Sequence, residues 1–277
     1  MVVGANRATT FIVSFESRSF HATRHRFCAS IRNQAKRPVT ETRQTNRLAP
    51  LFLLSFALAL VMGGSGTLVA EDRPNIVFIM ADDLGWSDLS CYGSSYYRTP
   101  NLDALAAGGM SFSDAYTASP VCSPTRASLM TGQYPTRHGF TGALGHIDEV
   151  RLEARLRERA PADQSTLEPA SATRLDTDHL TYAEVLREAG YRTAHIGKWH
   201  MGPAPYSPLE HGFNLDIPHA PSAPGPGLDG YLHPWPVWPG HGESGDHLEE
   251  RMASEAAAFI REMAGKDEPF YLSYWMW

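Results

Sequence analysis

Cys122-Ser123-Pro124-Thr125-Arg126 sets a nucleophilic thiol and a fixed cation four residues apart. Pro124 suits the first turn of a helix, and Gly132 supplies a stop. The spacing therefore predicts a helix with Cys122 at its N-terminus. Free N–H groups and the helix dipole there favour an anion. Arg126, one turn on, can reach back to the same point. The pair reads as an anion-handling catalytic site. The competing readings are a structural Cys beside a surface Arg, or a disulfide with Cys91 in an oxidising compartment.

Two further constellations bear on the same chemistry. Asp82-Asp83 follow the apolar run NIVFIM, Asn75–Met80. Adjacent carboxylates repel unless a cation sits between them. Hard oxygen donors without a Cys/His cluster favour Ca²⁺, with Mg²⁺ second, over Zn²⁺. A solvated turn is the alternative. Gly197-Lys198-Trp199-His200 ends another apolar run. On an extended segment Lys198 and His200 point the same way, as charge stabiliser and proton acceptor. A solvated loop is again the alternative.

The elements that must position these residues follow from periodicity. NIVFIM reads as a buried parallel strand. Thr99-Pro100 opens a short helix, and MSFSDAYT, 110–117, alternates like a half-buried strand. Thr181-x-x-Glu184 is a capping box opening the helix TYAEVLREAG. YRTAHIG, 191–197, reads as a strand, residues 247–263 as a helix, and PFYLSYWMW as a strand that leaves an apolar edge. The alternation predicts an α/β fold: a mostly parallel, mixed central sheet with helices on both faces. Charged residues 148–178 read as a surface excursion. Between 202 and 242, Gly and Pro supply 17 of 41 residues, with Trp235 and Trp238 among them. That segment reads as an irregular wall of a substrate pocket, suited to stacking on a sugar or aryl ring.

Composition narrows the class. The 277 residues are 43% hydrophobic and 19% charged, enough apolar content for a sizeable core. Three cysteines exclude a disulfide framework. Residues 1–70 are basic and the rest strongly acidic, which argues against nucleic acid as a partner. A basic flank, an apolar run over 48–62 and small residues to Ala70 form a signal-peptide pattern. The expected organisation is a leader, 1–70, cleaved near Ala70, and a catalytic portion, 71–277. Export to the periplasm or extracellular space follows, with no stable membrane span in the mature chain. An uncleaved anchor is the alternative.

The ordered phrases RPNIVFIMADDLGWSDLSCYG, TPNLDALAAGGMSFSDAYT, CSPTRASLMTGQYPTRHG and YRTAHIGKWHMG resemble the type I, formylglycine-dependent sulfatases of the alkaline-phosphatase superfamily. The resemblance runs from about Arg73 to Trp277. It implies that a formylglycine-generating enzyme, acting on the unfolded chain, oxidises Cys122 to Cα-formylglycine. The hydrated aldehyde attacks the sulfur of a sulfate ester with one hydroxyl. The other loses its proton, with His200 nearby, and sulfate leaves. Asp82 and Asp83 would bind Ca²⁺, which also touches the modified Cys122. Arg126 and Lys198 would neutralise charge. The substrate would be a sulfated small molecule or polysaccharide. The resemblance also implies a later His, Lys and Asp-Asn or Asp-His pair that this sequence does not contain. None of His211, His219 or His233 is assigned to those roles. The expectation is an N-terminal portion, inactive alone. A phosphonate or phosphate ester hydrolase of the same superfamily, and a non-catalytic sulfated-glycan-binding chain, are the rival readings.

Overall fold

The computed structural model describes residues 2–5, 9–15, 73–160, 162–220 and 230–277. Among the described residues, seven strands form one sheet in the order β4-β1-β2-β3-β7-β5-β6. They are β1 Val2–Ala5, β2 Thr9–Phe15, β3 Asn75–Ala81, β4 Met110–Ser111, β5 Arg192–Gly197, β6 Leu215–Ile217 and β7 Phe270–Trp275. From β2 to β6 all neighbours are parallel; β1 runs antiparallel to β2 and β4. The predicted mostly parallel, mixed α/β sheet is what the chain forms.

Helices cover both faces. They are α1 Pro100–Gly108, α2 Cys122–Thr131, α3 Pro135–His138, α4 Tyr182–Glu188 and α5 Leu248–Met263. Alternate residues of β3 and β7 divide between two cores, as a pleated strand requires. Phe78, Met80, Tyr271 and Trp275 pack with Ala127 and Met130 of α2 and Ala183 of α4. Val77, Phe270, Leu272 and Tyr274 pack with α5. That helix buries Leu248, Met252, Ala256, Phe259 and Met263, a stripe at helical spacing. At α4 the capping box forms in full: the Thr181 hydroxyl accepts from the Glu184 N–H, and the Glu184 carboxylate accepts from the Thr181 N–H.

Four expectations need correction. Strand β7 lies between β3 and β5, so PFYLSYWMW is interior and leaves no edge. In 110–117 only Met110–Ser111 is a strand; the Ser113 hydroxyl turns onto Asp114 at 2.7 Å instead. In the stretch read as a surface excursion, residues 170–175 are buried and Arg155 bridges Ala170. Trp235 is only 1% exposed and belongs to the α5 core, while Trp238 is held between Trp235 and His241 beneath Arg251. The Trp235 ring is thus closed to a ligand, while Trp238 stays partly exposed. Within the span read as a leader, 1–70, the structure has the two strands β1 and β2. TTFIVSF is a β-branched and aromatic run that pairs with β3 from Thr9↔Asn75 to Phe15↔Ala81. The apolar run 48–62 and the cleavage point at Ala70 lie outside the described residues.

Candidate active site

Three neighbouring parallel strands end in register, and the site is built on their carboxyl ends. Met80 pairs with Trp275, and Trp275 with Gly197. Asp82 follows β3 and Lys198 follows β5, one on each side of Trp275. The Lys198 N–H donates to the Trp275 carbonyl at 2.8 Å, and the Met276 N–H to the Met80 carbonyl at 2.9 Å. Gly197 makes this possible. Its φ is +107°, and a Cβ there would overlap the Trp275 carbonyl. Carboxyl ends of parallel strands are where α/β sheets bind ligands.

Helix α2 brings the thiol to this edge. Val121 is its N-cap and Cys122 its first residue, 7% exposed. Neither Cys122 nor exposed Cys91 is disulfide-bonded in the structure, which goes against the disulfide reading. The Lys198 ammonium lies 3.4 Å from Cys122 Sγ and forms an ion pair with Asp82. Arg126, fully buried, has Nη2 3.6 Å from the same Asp82 oxygen. Its Nη1 donates to the Lys198 carbonyl at 2.7 Å, and its guanidinium rests over the Trp275 ring at 5.0 Å. Cys122, Arg126, Lys198 and Asp82 thus form one contact cluster. Two fixed cations face one carboxylate in it, an excess of positive charge shielded from water. Such an excess favours an incoming anion.

His200 is buried at 7% exposure and adjoins the cluster. Its carbonyl accepts from Ser123 Oγ of α2 at 2.7 Å. The extended Lys-x-His picture is corrected: β5 stops at Gly197, Trp199 turns into the core, and His200 takes a left-handed backbone, φ +56°. Burial, then the charges of Lys198 and Arg126, lowers its pKa to about 3, with His146 adding to the fall and Asp82 opposing it. The ring is neutral at physiological pH. Its Nε2 lies 2.8 Å from Nδ1 of His146, an exposed residue that nothing in the local sequence pattern marked out.

The two aspartates differ. The Asp82 side chain is 5% exposed, whereas Asp83 is exposed and left-handed, φ +54°. Both offer hard oxygens at the sheet edge, a donor chemistry that fits a divalent cation of the calcium or magnesium type. Among the described residues no group of three His, Cys, Asp or Glu side chains converges as a metal cage. Two carboxylates alone fall short of the six to eight oxygens that calcium takes.

An α/β sheet whose strand ends hold a buried thiol flanked by two cations is a setting that favours an anion. The sulfatase family model matches residues 74–276, and the chain belongs to that family. It is 42% identical to human steryl-sulfatase over 157 residues, covering 52% of this chain and 23% of the relative. It is 34% identical to N-acetylgalactosamine-6-sulfatase of Canis lupus familiaris over 235 residues, covering 79% of this chain and 42% of the relative. The chain thus spans less than half the length of these relatives. A solved structure of Ps i-CgsB in complex with k-i-k-neocarrahexaose shares the fold with TM-score 0.53 and 29% identity, over 74% of this chain and 45% of that one. A metal ion and formylglycine are general to the family.

Proposed function

We propose that the chain carries the nucleophile half of a sulfuric ester hydrolase site. The observation that carries this reading is the Lys198 ammonium at 3.4 Å from a helix-N-terminal Cys122, beside buried Arg126. Formylglycine at Cys122 would supply, as its hydrate, one hydroxyl to attack sulfur and expel the alcohol, and a second whose deprotonation restores the aldehyde and releases sulfate together with the first oxygen. A divalent cation, Ca²⁺ in this reading, would be held by Asp82 and Asp83 and would supply charge to polarise the ester. Lys198 and Arg126 hold the sulfate oxygens and balance charge as it grows. His200, neutral in its buried setting, accepts the proton. Each preorganised electrostatic contact of this kind is typically worth ~3–4 kcal/mol in the transition state.

The substrate class follows as a sulfated carbohydrate or aryl sulfate. The oligosaccharide held by Ps i-CgsB supports the carbohydrate arm. The formylglycine-generating enzyme is the maturing partner, and the leader directs export with cleavage near Ala70. Among the described residues no helix is long and apolar enough to cross a membrane. Cleavage there would remove β1 and β2 and leave β3 as a sheet edge. A mature N-terminus near Glu71, read by intact mass, tests that step. The catalytic reading is tested by co-expression with the maturing enzyme, peptide mass spectrometry at Cys122, and paired assays on aryl sulfate and aryl phosphate. An aldehyde at Cys122 with preferential sulfate release is the expected result. Quantitative free thiol, or phosphate turnover alone, overturns it.

A further inference from the structure

His200 poses a chemical problem. It is the proton acceptor of the reading above, yet Lys198 and Arg126 lie close enough to oppose a positive charge on it. Holding a proton there would bury a third cation. The structure offers a way out. His200 Nε2 is 2.8 Å from His146 Nδ1, with the rings 5.1 Å apart and inclined by 27°. The other nitrogen, His200 Nδ1, is buried and has no hydrogen-bond partner among the described residues. His146 is exposed, so its ring meets bulk water.

The pair is fixed in place by its surroundings. Gly145 packs so closely on His200 that a Cβ there would overlap the His200 carbonyl. The segment carrying His146 is clamped by Arg174, itself 4% exposed. Its guanidinium donates to the Ile147 carbonyl at 2.6 Å and approaches the Gly145 carbonyl at 3.5 Å. Ser123 holds the His200 backbone from the other side. Two carbonyls flanking His146 are therefore bound by one buried cation, an arrangement that sets the ring rather than leaving a loop to drift.

We infer that His146 is the solvent-side half of a two-histidine proton relay that empties His200. His200 Nδ1 takes the proton released in the site. The proton on its Nε2 passes along the 2.8 Å contact to His146 Nδ1. His200 ends neutral, with its proton moved from one nitrogen to the other. The charge appears on exposed His146, whose Nε2 returns a proton to water. No oxidant or reductant is needed; both rings end neutral in the opposite tautomers, and the starting tautomers return when the contact runs in reverse, His146 passing a proton back to His200 Nε2 as His200 Nδ1 protonates the alcohol that leaves the next ester. His146 does not touch the reacting atoms in this scheme; it acts through His200.

This inference rests on the sulfatase reading for the origin of the proton, and its test separates the two. In the 277-residue chain labelled with ¹⁵N-histidine, long-range imidazole spectra should show His200 with its proton on Nε2 and a coupling to His146 Nδ1 across the hydrogen bond. His146→Ala should erase that coupling while the His200 ring stays neutral. In catalytically active, formylglycine-matured protein, His146→Ala should lower kcat for an aryl sulfate by ~10–100-fold, within the range of general acid–base effects. KM should change by less than about threefold. Imidazole in the buffer should restore part of kcat in that variant and none in wild type. A His200 proton on Nδ1, or unchanged kcat in His146→Ala, overturns the relay. Wild-type turnover lost altogether would instead count against the sulfatase reading, with the coupling still deciding the relay.

Discussion

Arg126 Nη1 donates a 2.7 Å hydrogen bond to the carbonyl of Lys198. One buried guanidinium thereby ties the first turns of α2 to the end of β5, while the Lys198 side chain runs on to Cys122 and Asp82. The two cations of the site consequently have different work to do. Arg126 holds architecture as well as charge; Lys198 supplies charge at the end of a flexible stem.

That division predicts unequal stability outcomes. Lys198→Met leaves Asp82 facing Arg126 and should cost less than ~1 kcal/mol. Arg126→Met removes the donor to a buried carbonyl and the cation over Trp275, and should cost ~3–5 kcal/mol, the range for breaking a buried pair. Both variants should lose ~10²–10³ in kcat in the matured gene product. Urea unfolding of each variant at neutral pH gives the comparison. Equal destabilisation by the two would refute the division.

The strand-end register makes a second prediction. Gly197→Ala drives a Cβ into the Trp275 carbonyl at a φ of +107°. Backbone cannot yield there as a side-chain tip could, so the change should cost more than ~3 kcal/mol. Gly240→Ala is the control, since φ is +80° but nothing lies within 4 Å of a Cβ. It should cost about 1 kcal/mol. Thermal melts of the pair measure the difference, and comparable losses would show that the close approach to Trp275 is unimportant.

Much of this architecture was legible in local pattern. The start of α2 at Cys122, the Thr181–Glu184 box and the apolar runs of β3 and β5 depend on neighbours within a few residues. The position of β7 between β3 and β5 was not legible, because strand order is set by contacts almost two hundred residues apart in the chain. Asp82 and Asp83 look equivalent in sequence, and only the turn after β3 buries one and exposes the other. The tryptophan-bearing segment misled because aromatic content does not say what covers a ring: α5 reaches Trp235 before any ligand could. His146 carries no spacing signal at all. It becomes visible only when Gly145 is seen against the His200 backbone.

Buried neutral histidines predict acid sensitivity. His195 lies fully buried among Trp199, Phe213 and Trp275. Burial, then Arg126, lowers its pKa to about 3, with the Gly197 backbone opposing only in part. His138 is lowered to about 4, again by burial first. Their unfolded values lie near 6.5. Below that pH the unfolded chain takes up protons that the folded chain refuses, so stability falls as pH drops from 6.5 toward these lowered values. Above 6.5 neither residue contributes a slope. Asp216, raised to about 6 by burial, works the other way over about pH 4–6. The loss from His195 alone is up to ~1.4 kcal/mol per pH unit. His195→Leu should therefore flatten the fall in melting temperature between pH 6.5 and 4 while matching wild type in slope above pH 7. An unchanged acid slope in that variant would refute the assignment.

The final prediction concerns the cation reading of Asp82 and Asp83. In the structure the Lys198 ammonium occupies an Asp82 oxygen, so an entering divalent ion must share or displace it. Calcium that binds the folded chain stabilises it by about 2.7 kcal/mol at a hundredfold excess over Kd, and by less at weaker saturation. Removing the competing ammonium should strengthen that response. Lys198→Met is thus expected to show a larger calcium-induced rise in melting temperature than wild type, and Asp82→Asn a smaller one. Asp83→Asn should also lose most of the rise, and it is a clean test, because Asn tolerates the left-handed backbone that Asp83 adopts at φ +54°. Melting temperatures over 0–10 mM CaCl₂, with MgCl₂ and chelator as comparisons, measure all four proteins. If both Asn variants respond to calcium as wild type does, the ion binds elsewhere, and the two carboxylates at the end of β3 are a solvated turn with a lysine partner.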